Sequence, residues 1–556
     1  MKKVIIFILI LIMICGIQAN AFSNICVKFS HKTISNDEYD MVIISPNIFT
    51  VELQPLIDHK NSIDIKTTLI TTEQIYNLYP GRDKPEQIKY FIKDALDNWN
   101  ITYVLLVGGA VTIPGRYTNI YFDYDYQDEW NYISDLYYAD IYDENMDFSS
   151  WDTNENDLFA EYNWFGNYDE MDLYPDVQLG RLACVNKDEV INCVNKIITY
   201  ETEKAYSQYW FKNLVLIGGD SLPGDEEQID EGEYVNEKVM EILDGFIPDK
   251  VWASNEKLFY SINIDNAINN GSGFVFFNGH GHTHVWATHP HESYSWIPLD
   301  DYTNSNVNSL SNGNKLPIVI SDACYHCQFD VAPDCFGWSF VKNPDGGAIA
   351  YLGGTDIDVS YGGVDIITKG IERLCLIIST NYIAGDRTFG ELWSNGISTY
   401  VNDEMDEIDI ITVTEFQPFG DPSLTIAGDL SPPKKPTIDG PNSGNIGQEY
   451  CWTFQSSDPD DDEIKYIIEW GDGNFNETDC LPSGEPITLC HTYIIDGNFL
   501  IKVKAVECTE EGFESDWEIL EINIPRSKFF PEMPFHLISS LFLRLLTKTC
   551  ELLYLL

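Results

Sequence analysis

Cys324 and His280 each close a short apolar run, and a thiol and an imidazole so placed suit nucleophilic catalysis. The first run reads Leu316-Pro317-Ile318-Val319-Ile320-Ser321-Asp322-Ala323-Cys324, the second Gly273-Phe274-Val275-Phe276-Phe277-Asn278-Gly279-His280-Gly281. Apolar runs bounded by turn residues read as strands buried in a parallel sheet, and open α/β sheets carry their sites at the carboxyl ends of such strands. An imidazole there stabilises thiolate and later protonates a departing amine, while backbone N–H groups hold the oxyanion. Taken singly, a buried cysteine is more often a small apolar residue, and Gly-His-Gly is more often a plain turn. The pair in this order carries the argument.

Strand tips need a sheet behind them, and the flanking sequence predicts one. Met41–Ile44, Lys66–Ile70 and Tyr103–Val107 read as strands, and Pro85–Trp99 as an amphipathic helix with Ile88, Phe91, Ile92, Ala95 and Leu96 on its apolar face. A second run begins with strand Leu214–Ile217 and helix Tyr234–Leu243, continues through the His and Cys strands, and reaches Ala348–Leu352. This βαβ rhythm predicts mainly parallel α/β architecture, divided here into subdomains over 35–205 and 206–430. A proline-rich linker follows at 431–436, then short alternating strands over 437–526 that predict an immunoglobulin-like β-sandwich. Within it, Asp458-Pro459-Asp460-Asp461-Asp462, Trp470-Gly471-Asp472-Gly473 and His491-Thr492-Tyr493 resemble a PKD or fibronectin module.

Composition narrows the setting. Residues 1–21 combine Lys2 and Lys3, the apolar Val4–Ile14 and a small-residue Ala19-Asn20-Ala21 stop, the pattern of a cleaved secretory signal. The net charge is −55, which excludes nucleic acid as a partner and suits an acidic exported protein in a cation-rich medium. Thirteen cysteines are sparse for 556 residues, and Cys480 and Cys490, flanking a turn, are a candidate disulfide in an oxidising compartment. Cys327 reads as structural. Trp151-Asp152-Thr153-Asn154-Glu155-Asn156-Asp157 reads equally as ligands for a structural calcium ion or as a solvated acidic loop. Residues 535–556 are mostly apolar but carry Arg544, Lys548 and Glu551. That pattern suits an interfacial helix retaining the protein at a membrane or cell surface, or equally a helix that docks on a partner or on the chain itself.

The order of the His and Cys runs resembles the caspase-like cysteine peptidases, and within them the gingipain type. The likeness extends to Tyr103-Val104-Leu105-Leu106-Val107-Gly108-Gly109, Leu179-Gly180-Arg181, Arg387-Thr388-Phe389-Gly390 and Phe419-Gly420-Asp421-Pro422-Ser423-Leu424, spread over residues 35–430. The resemblance implies a cysteine endopeptidase acting on proteins or peptides, without a catalytic cofactor. In it Cys324 attacks, His280 protonates the leaving group, and the backbone N–H groups of Gly281 and Cys324 hold the oxyanion. It implies that Asp220, after Leu216-Ile217-Gly218-Gly219, orients His280; an Asp capping a turn is the even alternative. It also implies a carboxylate reading a basic P1 residue, which falls on Glu233 or Glu231 according to the loop alignment, against the alternative that acids merely favour a helix's first turn. The large inhibitory prodomain of some relatives is not expected. Two other readings compete: a zinc hydrolase built on His280, His282, His284, His289 and His291 with Cys324 and Cys327, and a non-catalytic surface adhesin.

Overall fold

A computed structural model describes residues 38–124, 127–402, 405–427, 432–458, 462–508 and 512–526. The expected signal segment at 1–21 and the apolar segment at 535–556 lie outside the described residues. The described residues divide into two compact units, one running to 427 and one beginning at 432.

The first unit is built on one ten-stranded sheet. Its strands in chain order are β1 (Met41–Ser45), β2 (Thr67–Thr71), β3 (Tyr103–Val107), β4 (Gln178–Leu182) and β5 (Asn213–Gly218). They continue with β6 (Ile247–Trp252), β7 (Phe274–Asn278), β8 (Ile318–Ser321), β9 (Ala350–Gly354) and β10 (Phe416–Phe419). Across the sheet they run β6-β5-β7-β8-β9-β10-β4-β3-β1-β2. All neighbours are parallel except β9 and β10. Every residue of β1, β7, β8, β9 and β10 is buried, as expected for strands covered on both faces. The two expected α/β halves are adjoining parts of this sheet, joined by β10 between β9 and β4.

Several motif residues serve that junction. The buried Arg181 on β4 donates to Asp135, to the Gly108 carbonyl at 2.7 Å and to the Ile113 carbonyl at 3.0 Å, while Gln417 on β10 donates to the same Asp135. A Cβ on Gly180 would stand 2.4 Å from the Gly420 carbonyl oxygen, so only glycine lets the two segments meet. Asp421 pairs with the fully buried Lys60 at 2.9 Å.

The helix expected at Tyr234–Leu243 runs over Glu231–Ile242, which brings both candidate P1 acids into its first turn. A three-stranded antiparallel ribbon over His280–His282, Val285–Thr288 and Ile297–Thr303 leaves the tip of β7; single-strand periodicity gives no sign of it.

The second unit is a β-sandwich of a three-stranded and a four-stranded sheet, its core formed by Trp452, Phe454, Tyr466, Trp470, Tyr493 and Ile501 with their neighbours. Its disulfides are Cys451–Cys490 and Cys480–Cys508, not the expected Cys480–Cys490. The reason is register: Cys451 and Cys490 stand directly opposite on paired strands Glu449–Gln455 and Ile487–Thr492. Cys480 is left to reach Cys508, across a Cα separation of 6.2 Å.

Candidate active site

β7 and β8 pair in register from Phe274 against Ile318 to Phe277 against Ser321, so their carboxyl ends finish level. The Asp322 carboxylate then accepts the Gly279 amide at 2.8 Å, tying one tip to the other. Beyond that tie the two candidate oxyanion residues come side by side. A Cβ on Gly281 would lie 2.5 Å from the Cys324 carbonyl oxygen and 2.8 Å from the Ala323 Cβ. Glycine at 281 is thus a condition of the approach. Tyr325, next after the thiol, holds a left-handed φ of 59°, and its amide donates to the Asp356 carbonyl at 2.7 Å. A non-glycine residue in that region is a strained feature that its surroundings must hold in place.

His280 is half-buried, and its Nε2 lies 2.7 Å from the Ser221 carbonyl oxygen. A carbonyl can only accept, so Nε2 carries the proton and Nδ1 is the basic nitrogen. Burial holds the imidazole below its ordinary pKa, with nearby His289 adding to the effect, and the Ser221 contact opposes it. His280 therefore rests neutral at neutral pH.

The acceptor on His280 is the Ser221 carbonyl rather than the Asp220 side chain. Asp220 is fully buried, and its carboxylate receives the backbone amides of Leu222 at 3.1 Å and Glu292 at 2.8 Å. Its own backbone exchanges two hydrogen bonds with His289. Asp220 thus holds the turn that presents Ser221, which corrects the direct role expected of it. Glu231 holds the same turn from the other side, accepting the amides of Ser221 and Leu222 at 3.1 Å each and of Gly363 at 3.2 Å. Burial raises Glu231 to about 7. Glu233 points elsewhere: its carboxylate takes the Ser254 amide at 2.8 Å and the Ser254 hydroxyl at 2.5 Å. Of the two acids the alignment left open, only Glu231 contacts the turn behind His280.

Cys324 is half-buried, with Sγ 3.9 Å from the Asp358 carbonyl oxygen. Burial raises its thiol pKa, and the charges of Asp358 and Glu415 raise it further. Burial also lifts Asp358 to about 7, and burial plus Asp358's repulsion holds Asp322, Glu372 and Glu415 well above the usual carboxylate range. Cys324 rests as a thiol in an acidic neighbourhood that sequence reasoning did not anticipate. Also unanticipated is His326, fully buried. It stacks on Phe336 at 4.2 Å, and its Nδ1 lies 3.0 Å from the Ser321 hydroxyl and 2.8 Å from the Tyr351 hydroxyl. Burial lowers it to about 3, so it braces the loop after Cys324 as a neutral ring. Cys327, read as structural, is buried.

The five histidines of the zinc reading do not converge. His280 meets Ser221, His284 meets Asp334 at 3.3 Å, His289 meets the Ser295 carbonyl at 3.1 Å and His291 meets Asp230 at 2.8 Å. Among the described residues, the one group of metal-capable side chains that includes a histidine is Asp220, Asp230 and His291. The loop weighed as a calcium site is occupied by its own contacts. Asp152 takes the Arg82 guanidinium and the amides of Asn156 and Asp157 at 3.0 Å each, and Glu161 takes the side-chain amides of Asn154, Asn156 and Asn167.

Comparison with known proteins gives these residues a context. The family model of peptidase family C25 matches residues 34–427. Gingipain R2 of Porphyromonas gingivalis (strain ATCC BAA-308 / W83) is 24% identical over 409 residues, which cover 69% of this chain and 46% of the relative. An uncharacterized protein of Archaeoglobus fulgidus is 24% identical over 368 residues, 58% of this chain and 79% of its own. The chain thus spans less than half the length of gingipain R2. The crystal structure of the Arg-specific cysteine proteinase gingipain R aligns over 88% of this chain and 99% of its own, with a TM-score of 0.50 and 18% identity. That is a likeness of fold.

Proposed function

Because the chain belongs to peptidase family C25, we propose that it is a cysteine endopeptidase with Cys324 as nucleophile and His280 as general acid. One observation carries this reading: the in-register tips of β7 and β8 bring Gly281 against Cys324, beside an imidazole whose protonated nitrogen is already committed to Ser221. His280 Nδ1 takes the thiol proton, and the Cys324 sulfur attacks the scissile carbonyl. The backbone N–H groups of Gly281 and Cys324 stabilise the oxyanion, and Nδ1–H then protonates the departing amine. Water hydrolyses the thioester and regenerates the thiol. No cofactor takes part in these steps.

Cleavage after Arg or Lys is the specificity we favour, with Glu231 as the acid that reads the cation. Its support is position: Glu231 borders the Ser221 turn and the Gly363 loop, whereas Glu233 meets Ser254 away from that turn. Export is favoured by the signal-like residues 1–21 and by the two disulfides of the second unit. Retention at a surface through 535–556 belongs to the same reading. The deciding experiment is a peptide-library cleavage profile of purified protein. Cys324→Ala should abolish cleavage and Cys327→Ala should not; cleavage surviving in Cys324→Ala, or lost to zinc chelation, would overturn the thiol mechanism.

A further inference from the structure

The ribbon that begins at His280 returns a large aromatic side chain to that same imidazole. Trp296 lies with its ring centroid 5.4 Å from the His280 ring at an interplanar angle of 83°, an edge-to-face contact. Its other neighbour is His289, 4.0 Å away and tilted by 37°. His289 is buried and fixed by the Ser295 carbonyl, so the tryptophan rests on a rigid base. Yet Trp296 is 54% exposed, and Tyr294, two residues earlier, is 75% exposed. A tryptophan held against a candidate catalytic histidine while half its surface faces water is poorly explained by packing among the described residues.

The chemistry says which part of a substrate would cover it. The general acid must face the leaving amine nitrogen, which belongs to the P1′ residue. A side chain beside the acid is therefore adjacent to the P1′ group and not to the P1 pocket. We propose that Trp296 forms the S1′ subsite and favours apolar or aromatic side chains at P1′. The proposal rests on the peptidase reading above but not on the choice of P1 residue. An aromatic or branched aliphatic P1′ side chain would lie on the exposed indole and remove apolar surface from water on both partners. Glycine would gain nothing there.

The test uses the full chain and peptides that share the P1 residue the wild-type protein cuts best after, differing only at P1′. For the wild type, kcat/KM with Phe or Leu at P1′ should exceed that with Gly by about tenfold, corresponding to about 1.4 kcal/mol. Trp296→Ala should bring the Phe-to-Gly ratio close to one, while Trp296→Phe should keep most of it. A merely structural role for Trp296 would lower both rates together and leave the ratio standing, which overturns the proposal. A wild-type protein that cuts with no P1′ preference overturns it as well, with the peptidase reading intact. A wild-type protein that cuts no peptide overturns both.

Discussion

Asp358→Asn gives a sharp test of the acids beneath the nucleophile. The substitution keeps the Oδ1 acceptor that receives the Ile371 amide at 3.2 Å, so the loop should persist while its charge is lost. The Asp358 charge adds to burial in raising the Cys324 thiol; a neighbouring charge moves a pKa by about 1–3 units, and each unit is a tenfold change in the charged fraction. The charge is conditional, because burial lifts Asp358 to about 7. Below that pH Asp358 is protonated and the thiol feels no anion. Above it Asp358 is ionised, and a raised thiol pKa means less thiolate. The variant should therefore match the wild type near pH 6 and exceed it near pH 8.5. A thiolate of lower pKa is also a weaker nucleophile, which cancels roughly half of each tenfold gain. For a shift of about 1–2 units, the net expectation is a three- to tenfold faster reaction of Cys324 with iodoacetamide at the higher pH. Mass spectrometry of the Cys324 peptide isolates the reading, and among the described residues the other free cysteines, at 184, 193, 327, 335 and 375, are all buried. Equal rates at pH 8.5, or a difference of the same size at pH 6, would refute the electrostatic account.

Glu231→Gln should lower kcat/KM on substrates with Arg or Lys at P1 by tenfold or more while changing neutral substrates far less; a parallel loss on both would assign Glu231 to holding the Ser221 turn alone. Arg181→Met should destabilise the first unit by about 3–5 kcal/mol in urea denaturation, because it leaves the buried Asp135 without its cation; a change below about 1 kcal/mol would show that Gln417 alone suffices for that carboxylate.

The parallel sheet was legible because its strands are buried on both faces and read as unbroken apolar runs, as in Phe274–Asn278 and Ile318–Ser321. That the strands leading to His280 and Cys324 end at one edge followed from the same fact, since parallel neighbours deliver their tips together. Partners reached through backbone were not legible. Ser221 holds His280 through a carbonyl that every residue possesses, so no side-chain type announces it. Asp220 and Glu231 were visible as acids, but which atoms they meet depends on a turn closed by His289 and Glu292, far along the chain. The disulfides failed for a related reason: proximity in sequence suggested Cys480 with Cys490, whereas strand register put Cys451 opposite Cys490. His326 carried no signal beyond its closeness to Cys324, and Trp296 none until the ribbon folded it back.

The junction strand β10 has a consequence for biosynthesis. Its residues 416–419 are made long after β4, with which they pair through Arg181 and Phe419. Until they leave the ribosome, β4 and β9 each present an unpaired edge, one from each half of the unfinished sheet. Pairings this distant in sequence form slowly, so the nascent chain passes through a stage in which both edges invite association with other chains. A ribosome that stalls or a message that ends before residue 416 would release a fragment bearing Cys324 and an open edge together. The completed sheet thus depends on a segment that arrives near the end of the unit's synthesis, and so does protection from a misassembled, thiol-bearing fragment.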